Sequence, residues 1–196
     1  NKDTLMQMQK LEEYDNFFYD LFYNSKIKDL AANALGEDAL PRAMEYFNKP
    51  PGKSKPTPPH QDGFYFNLDN DKAVTGWLAL EDVDDENGCI HYVKGSHSKE
   101  EYRPHGKSEI LGFSQGVTDF GTEEDKINTV KFEGKAGMFL MHHAKTIHFA
   151  SPNKSSVRSR RAFGFVYHGV SAKHNTEKEK VDQKKLHDEL KEKKII

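Results

Sequence analysis

Gly137-Met138-Phe139-Leu140-Met141-His142-His143-Ala144-Lys145-Thr146-Ile147-His148 is an apolar strand that runs up to a histidine after a short polar turn. It belongs to a series. Gly63–Asn67, Val74–Leu80, Cys89–Val93, Thr129–Phe132, Gly137–His142 and Arg160–Tyr167 are each short, aromatic or β-branched in part, and bounded by Gly, Asn, Asp or Pro. Many short strands in succession predict a mainly β protein with flanking helices, its strands forming a barrel or jelly roll. Asn87-Gly88 lies between two of the strands. Asn-Gly supplies the positive φ angles of a type I′ turn, so a hairpin is expected there.

Working outward, residues 1–48 read as a helical N-terminal part. Leu5, Met8, Leu11, Tyr14, Phe18 and Leu21 recur at three- and four-residue spacing, and Ile27, Leu30, Ala31 and Leu35 form a second stripe that Gly36 ends. Residues 49–59 form a proline-rich loop, which neither a helix nor a central strand tolerates. Residues 60–170 make the β-barrel core. Residues 171–196 are a charged tail with Val181, Leu186 and Leu190 as nearly its only apolar positions, expected to be a solvated helix with Glu–Lys pairs. A length of 196 residues suits one domain.

Composition narrows the function classes. Aromatics make up 11% of the chain, enough to fill one core and to argue against disorder. Twenty-nine basic and 31 acidic residues leave a net charge of −2, no footprint for nucleic acid or an anionic membrane. No apolar run approaches a membrane span, and Asn1-Lys2-Asp3-Thr4 does not open a signal peptide. A single cysteine, Cys89, excludes an internal disulfide and a multi-cysteine metal site. The expectation is a cytoplasmic protein acting on a small molecule, with no nucleic-acid or membrane partner. Ten histidines direct attention to a histidine-based site.

His60-Gln61-Asp62 is the first candidate. Residues i and i+2 of a strand share a face, so His60 and Asp62 can aim into a barrel together and hold one ion. His148 offers a third ligand from a separate strand, with His142 and His143 as rivals. Two imidazoles and one carboxylate occupy one face of a metal and leave the other positions open, as in non-haem Fe(II) oxygenases. Arg160 begins the next strand, and a guanidinium grips a carboxylate with two parallel hydrogen bonds. Beside a metal it would anchor the far carboxylate of a chelating 2-oxo acid. Arg158 and Arg161 compete for that role; alternation puts Arg158 with Arg160 and Arg161 on the other face. Trp77, the only Trp, is open to reading as core or as cofactor wall.

These pieces come in a familiar order. Asn48-Lys49-Pro50-Pro51, His60-Gln61-Asp62-Gly63, Trp77 to Val83, Glu86 to Ile90, Lys94 to Ser98, Gly137 to His148, Ser151-Pro152-Asn153 and Arg160-Arg161-Ala162 together resemble the phytanoyl-CoA dioxygenase family of Fe(II)/2-oxoglutarate oxygenases. The resemblance spans about residues 30–168. It implies a double-stranded β-helix, a jelly-roll or cupin-like barrel, with Fe(II), 2-oxoglutarate and O2 as its chemistry. It places the metal triad on His60, Asp62 and His148, the co-substrate arginine on Arg160, and the tryptophan beside the co-substrate on Trp77. Departures exist: Lys94 stands where the family's Gly-Ser-His turn usually has proline, and Phe149-Ala150 stands where Gly-Ser often follows the distal histidine. Asp62 fills the position that related halogenases vacate for halide, so the resemblance implies hydroxylation or a related oxidation, not halogenation. The substrate is expected to be a small polar metabolite. Glu45 would favour a cationic one if it faced inward, whereas His143, Arg158 and Arg161 would receive an anion. Two rival classes share parts of this pattern: a cupin-like module that binds a metal or ligand without turnover, and a protein-modifying oxygenase that uses the charged tail.

Overall fold

Two antiparallel sheets carry the molecule in the computed structural model, which describes residues 5–52, 54–107, 115–177 and 181. The larger sheet runs in the order β1 (Gln7–Gln9), β2 (Ala39–Lys49), β11 (Arg160–Gly169), β4 (Ala73–Ala79) and β9 (Phe139–His143). The smaller runs β3 (Thr57–His60), β10 (His148–Ala150), β5 (Ile90–Val93) and β8 (Thr129–Phe132). Strands β6 (His105–Lys107) and β7 (Gln115–Val117) pair as a separate ribbon. The inner faces meet in a core of Trp77, Ala79 and Ala162 from the larger sheet with Ile90, Tyr92 and Phe132 from the smaller. The result is the expected mainly β, jelly-roll barrel with flanking helices.

The outer face of the larger sheet is covered by helices. Phe163, Phe165 and Tyr167 alternate to that side of β11 and, with Met44 and Val74, meet Phe22, Ala31 and Leu35. Helix α1 (Asn16–Tyr23) is capped by Asp15, which accepts the Phe17 N–H at 2.8 Å. Helix α2 (Lys26–Leu35) is capped by Ser25, and Gly36 ends it at φ 71°, the stop its position predicts. Short helices α3 (Gly63–Phe66) and α4 (Glu123–Asn128) lie within the barrel segment. Among the described residues, no helix is long and apolar enough to cross a membrane.

Four sequence expectations need correction. Residues 39–48 are not helical; they form β2, the longest strand, and part of the first apolar stripe lies in β1. Gly63–Asn67 is a helical turn instead of a strand, closed by Phe64 N–H to Gln61 O and Tyr65 N–H to Asp62 O. Asn87-Gly88 makes no hairpin: β4 and β5 lie in different sheets. The turn is held by Asp84 and Asn87 bonding each other's backbone N–H groups, and only Gly88 of the pair has positive φ. The proline-rich loop ends earlier than expected, because Pro58 and Pro59 enter β3; that strand is at the sheet edge, where a missing N–H is tolerated. Most of the charged tail lies outside the described residues.

Candidate metal centre

His60 ends β3 and His148 opens β10, and the two are register partners across that strand pair. Asp62 is not on the strand. It sits at φ −57° and ψ −39°, at the start of α3, so the turn and not strand alternation brings it beside His60. Gly63 allows this turn: its N–H bonds Ala144 O at 2.9 Å, and a Cβ there would strike the Tyr102 hydroxyl. One donor atom from each of His60, Asp62 and His148 lies within 4.8 Å of the others. His60 Nε2 is 3.4 Å and His148 Nε2 is 3.5 Å from Asp62 Oδ1.

The protons are set by the surroundings. His60 Nδ1 lies 2.8 Å from Pro58 O, and His148 Nδ1 lies 3.0 Å from Thr146 O. A carbonyl only accepts, so each Nδ1 carries the hydrogen and each Nε2 turns a lone pair to the centre. Asp62 Oδ2 is otherwise engaged: it accepts the Thr75 hydroxyl at 2.6 Å and faces His142 Nε2 at 3.1 Å. His142 therefore donates from Nε2, and in the neutral ring its Nδ1 accepts from the Tyr92 hydroxyl at 2.9 Å. Burial alone would raise Asp62, but His148, His142 and His60 hold it well below the usual carboxylate range. Burial, with His60 and His142 adding, pushes His148 well below its ordinary value, so its lone pair is free at neutral pH.

Arg160 is buried at the start of β11, with its guanidinium over the Trp77 ring at 5.5 Å. Among the described residues, its Nε has no hydrogen-bond partner. Lys49, its register partner on β2, is also buried and donates to Lys55 O at 2.6 Å. Burial lowers Arg160 to about 10, and burial with the Arg160 charge lowers Lys49 to about 7. Two basic groups share this end of the barrel, Arg160 charged and Lys49 able to take up a proton, an arrangement that fits an incoming anion.

The remaining candidates are scattered. Glu45 is half-buried on β2, where Gln7 and Gln9 donate to its two oxygens at 3.1 and 3.2 Å. Burial raises its carboxyl, and the Asp62 charge adds to that. His143 points elsewhere and accepts the Lys145 N–H at 3.1 Å. Arg158 is in the loop before β11, bound to Asp84 and Glu86, and Arg161 is bound to Glu81. Thr75, Tyr92 and Ser96 escaped sequence reading. Ser96 accepts the Ile147 N–H and donates to Val93 O, both at 2.8 Å, fixing the residue before His148. The Gly95-Ser96-His97 turn was the only signal pointing to any of them.

The sequence model of the phytanoyl-CoA dioxygenase family matches residues 2–162. A probable alpha-ketoglutarate-dependent hypophosphite dioxygenase of Stutzerimonas stutzeri is 27% identical over 165 residues, 82% of this chain and 57% of that protein. A phytanoyl-CoA dioxygenase of Arabidopsis thaliana is 30% identical over 155 residues, 78% of this chain and 53% of that protein. Among solved structures, the epimerase SnoN in complex with Fe3+, alpha ketoglutarate and nogalamycin RO superposes with a TM-score of 0.72 at 26% identity, covering 86% of this chain and 64% of that one. The chain spans about half the length of the curated relatives it matches.

Proposed function

The chain belongs to the phytanoyl-CoA dioxygenase family, and from that premise we propose that it is an Fe(II)- and 2-oxoglutarate-dependent dioxygenase hydroxylating a small polar metabolite. The observation that carries this reading is the convergence of His60 Nε2, His148 Nε2 and Asp62 Oδ1 with their protons already directed away. Two imidazoles and one carboxylate fit iron and leave coordination positions for a chelating co-substrate. The Arg160 Nε, buried beside Trp77 and without a hydrogen-bond partner among the described residues, fits the co-substrate's distal carboxylate. When bound, iron with 2-oxoglutarate and O2 supplies the oxidising power, the co-substrate leaving as succinate and CO2.

The chain's own residues bind, orient and exclude water. Thr75 and His142 hold Asp62 Oδ2, so Oδ1 alone faces the metal position. Trp77 covers the Arg160 guanidinium and keeps water from it. Glu45 supports a cationic group on the substrate, because its carboxylate is half-buried and feels the Asp62 charge. The likeness to an epimerase favours a second outcome at the same centre, inversion of a carbon instead of oxygen insertion; chiral analysis of the product separates the two.

The test is an anaerobic titration of the protein with Fe(II) and 2-oxoglutarate, following the visible charge-transfer band. The band requires both additions and weakens in Asp62→Ala and Arg160→Ala. A folded, metal-binding wild type without the band would point to a binding module. Glu45→Gln lowers turnover on cationic metabolites found in a substrate screen; unchanged turnover would remove the cationic assignment.

A further inference from the structure

A second group of metal-ligating side chains lies outside the centre described above. One donor atom from each of Asp85, Cys89 and His91 lies within 4.8 Å of the other two. We propose that these three residues form a second metal site, which takes one divalent ion of borderline softness such as Zn(II).

The sequence builds the cluster locally. Cys89 and His91 are two residues apart where the chain enters β5, and Asp85 comes from the turn just before. That turn is held in shape by the reciprocal Asp84–Asn87 bonds, and the Asp85 N–H donates to Glu133 at 3.1 Å. Cys89 is fully buried and His91 is 91% buried, judged from its 9% exposure, while Asp85 is exposed. His91 stacks on Phe149 with ring centroids 4.6 Å apart, which fixes its plane.

Among the described residues, buried His91 Nδ1 makes no well-formed hydrogen bond, and the Cys89 backbone offers it only a weak one. A poorly satisfied buried nitrogen is unfavourable, and a bond to a metal satisfies it. One thiolate, one imidazole and one carboxylate are the mixed sulfur, nitrogen and oxygen donors that a tetrahedral zinc site uses, with a fourth position for water or a nearby carboxylate. Glu133 is a neighbouring carboxylate, tied to Lys131 at 3.0 Å and bonded to the Asp85 backbone N–H. On binding, the ion displaces the Cys89 proton to solvent and the S–H bond is replaced by an S–metal bond. Burial, with Asp85 and Glu133 adding, pushes the free thiol up to about 11, which argues against a reactive nucleophile.

The site has a mechanical connection to the first centre. Asp84 and Glu86 bind Arg158 at 2.8 and 2.5 Å, and Asn87 donates to Ser159 O at 3.2 Å. An ion that locks residues 85–91 therefore stiffens the anchor of the two residues that precede Arg160. Its role is structural.

Cys89 is the only cysteine, so a thiolate–metal band can have no other origin in the chain. The metal-free protein, reduced and anaerobic, is titrated with Co(II) alone. Wild type takes up two ions per chain and develops a near-ultraviolet thiolate-to-Co(II) band that Zn(II) abolishes. Cys89→Ser loses the band and one equivalent. His91→Gln weakens the ion at least tenfold. Asp62→Ala keeps the band, which makes this site independent of the reading proposed for the first centre. In unaltered protein, Zn(II) also slows labelling of the Cys89 thiol and a chelator restores it, a readout that needs no variant to fold. No thiolate band in wild type, an unchanged affinity in His91→Gln, or labelling indifferent to Zn(II) would each overturn the site.

Discussion

The two oxygens of Asp62 have different neighbours, and that difference organises the centre. Oδ2 is saturated by the Thr75 hydroxyl and the His142 ring, while Oδ1 faces the lone pairs of His60 and His148. A carboxylate so held cannot rotate without losing two hydrogen bonds, so its ligating oxygen is preset. Thr75→Val keeps the shape and removes one of those bonds. Fe(II) affinity is expected to fall by about 10-fold to 100-fold, the usual cost of losing a group that orients a ligand. A metal titration checks this, alongside a melting curve; a loss of folding without a shift in affinity would count against the role. The Tyr92–His142 contact extends the chain of support one residue further, to β5 of the opposite sheet.

At the scale of elements, the helices matter because they clamp the sheet that carries Arg160. Phe22 of α1 is fully buried against Phe165 and Tyr167, and the Tyr167 hydroxyl donates to Phe22 O at 2.9 Å. Phe22→Ala leaves a cavity under β11 and is expected to cost about 3–5 kcal/mol, measured as a lower urea midpoint. How legible these elements were depended on which period the sequence displayed. The β4, β5, β8, β9 and β11 strands were found within a residue or two, because short apolar runs ended in turn residues. Strand β2 was hidden: Leu40, Ala43, Met44 and Phe47 fall at helical spacing by chance, and both faces of the strand are partly covered. The aromatic run Phe64-Tyr65-Phe66 suggested a strand, yet the backbone bonds back to Gln61 and Asp62 make it a helical turn. The pairing of His60 with Asp62 was anticipated through strand alternation, although the chain achieves it by that turn. Thr75 and Tyr92 were invisible because each comes from a different strand with no local pattern to mark it.

For the whole molecule, a net charge of −2 conceals two buried basic groups at one end of the barrel. Lys49 and Arg160 are register partners, both buried. Lys49 has a folded pKa of about 7, depressed from its ordinary value by burial and by Arg160. The unfolded chain therefore binds more protons between pH 7 and the ordinary lysine range, and the Lys49 contribution to stability rises with pH across that window. A dicarboxylate entering beside Arg160 reverses the effect by raising the Lys49 pKa. Near pH 8, 2-oxoglutarate binding is expected to take up a proton, read as a heat that depends on the buffer's ionisation enthalpy. Lys49→Met abolishes the uptake; an uptake that persists in that variant would locate the proton elsewhere.

The position of β11 governs the order in which the molecule can be assembled. It follows every other described strand in the chain, yet lies between β2 and β4 in the larger sheet. During synthesis, the flanking strands emerge first and can pair with β1 and β9, but nothing joins β2 to β4 until residues 160–169 leave the ribosome. Pairings so distant along the chain are slow to close. The unpaired edges of β2 and β4 stay open in the meantime and would need shielding from other chains. Arg160 arrives with that closing strand, so a nascent chain can display His60 and Asp62 long before it can retain a dicarboxylate.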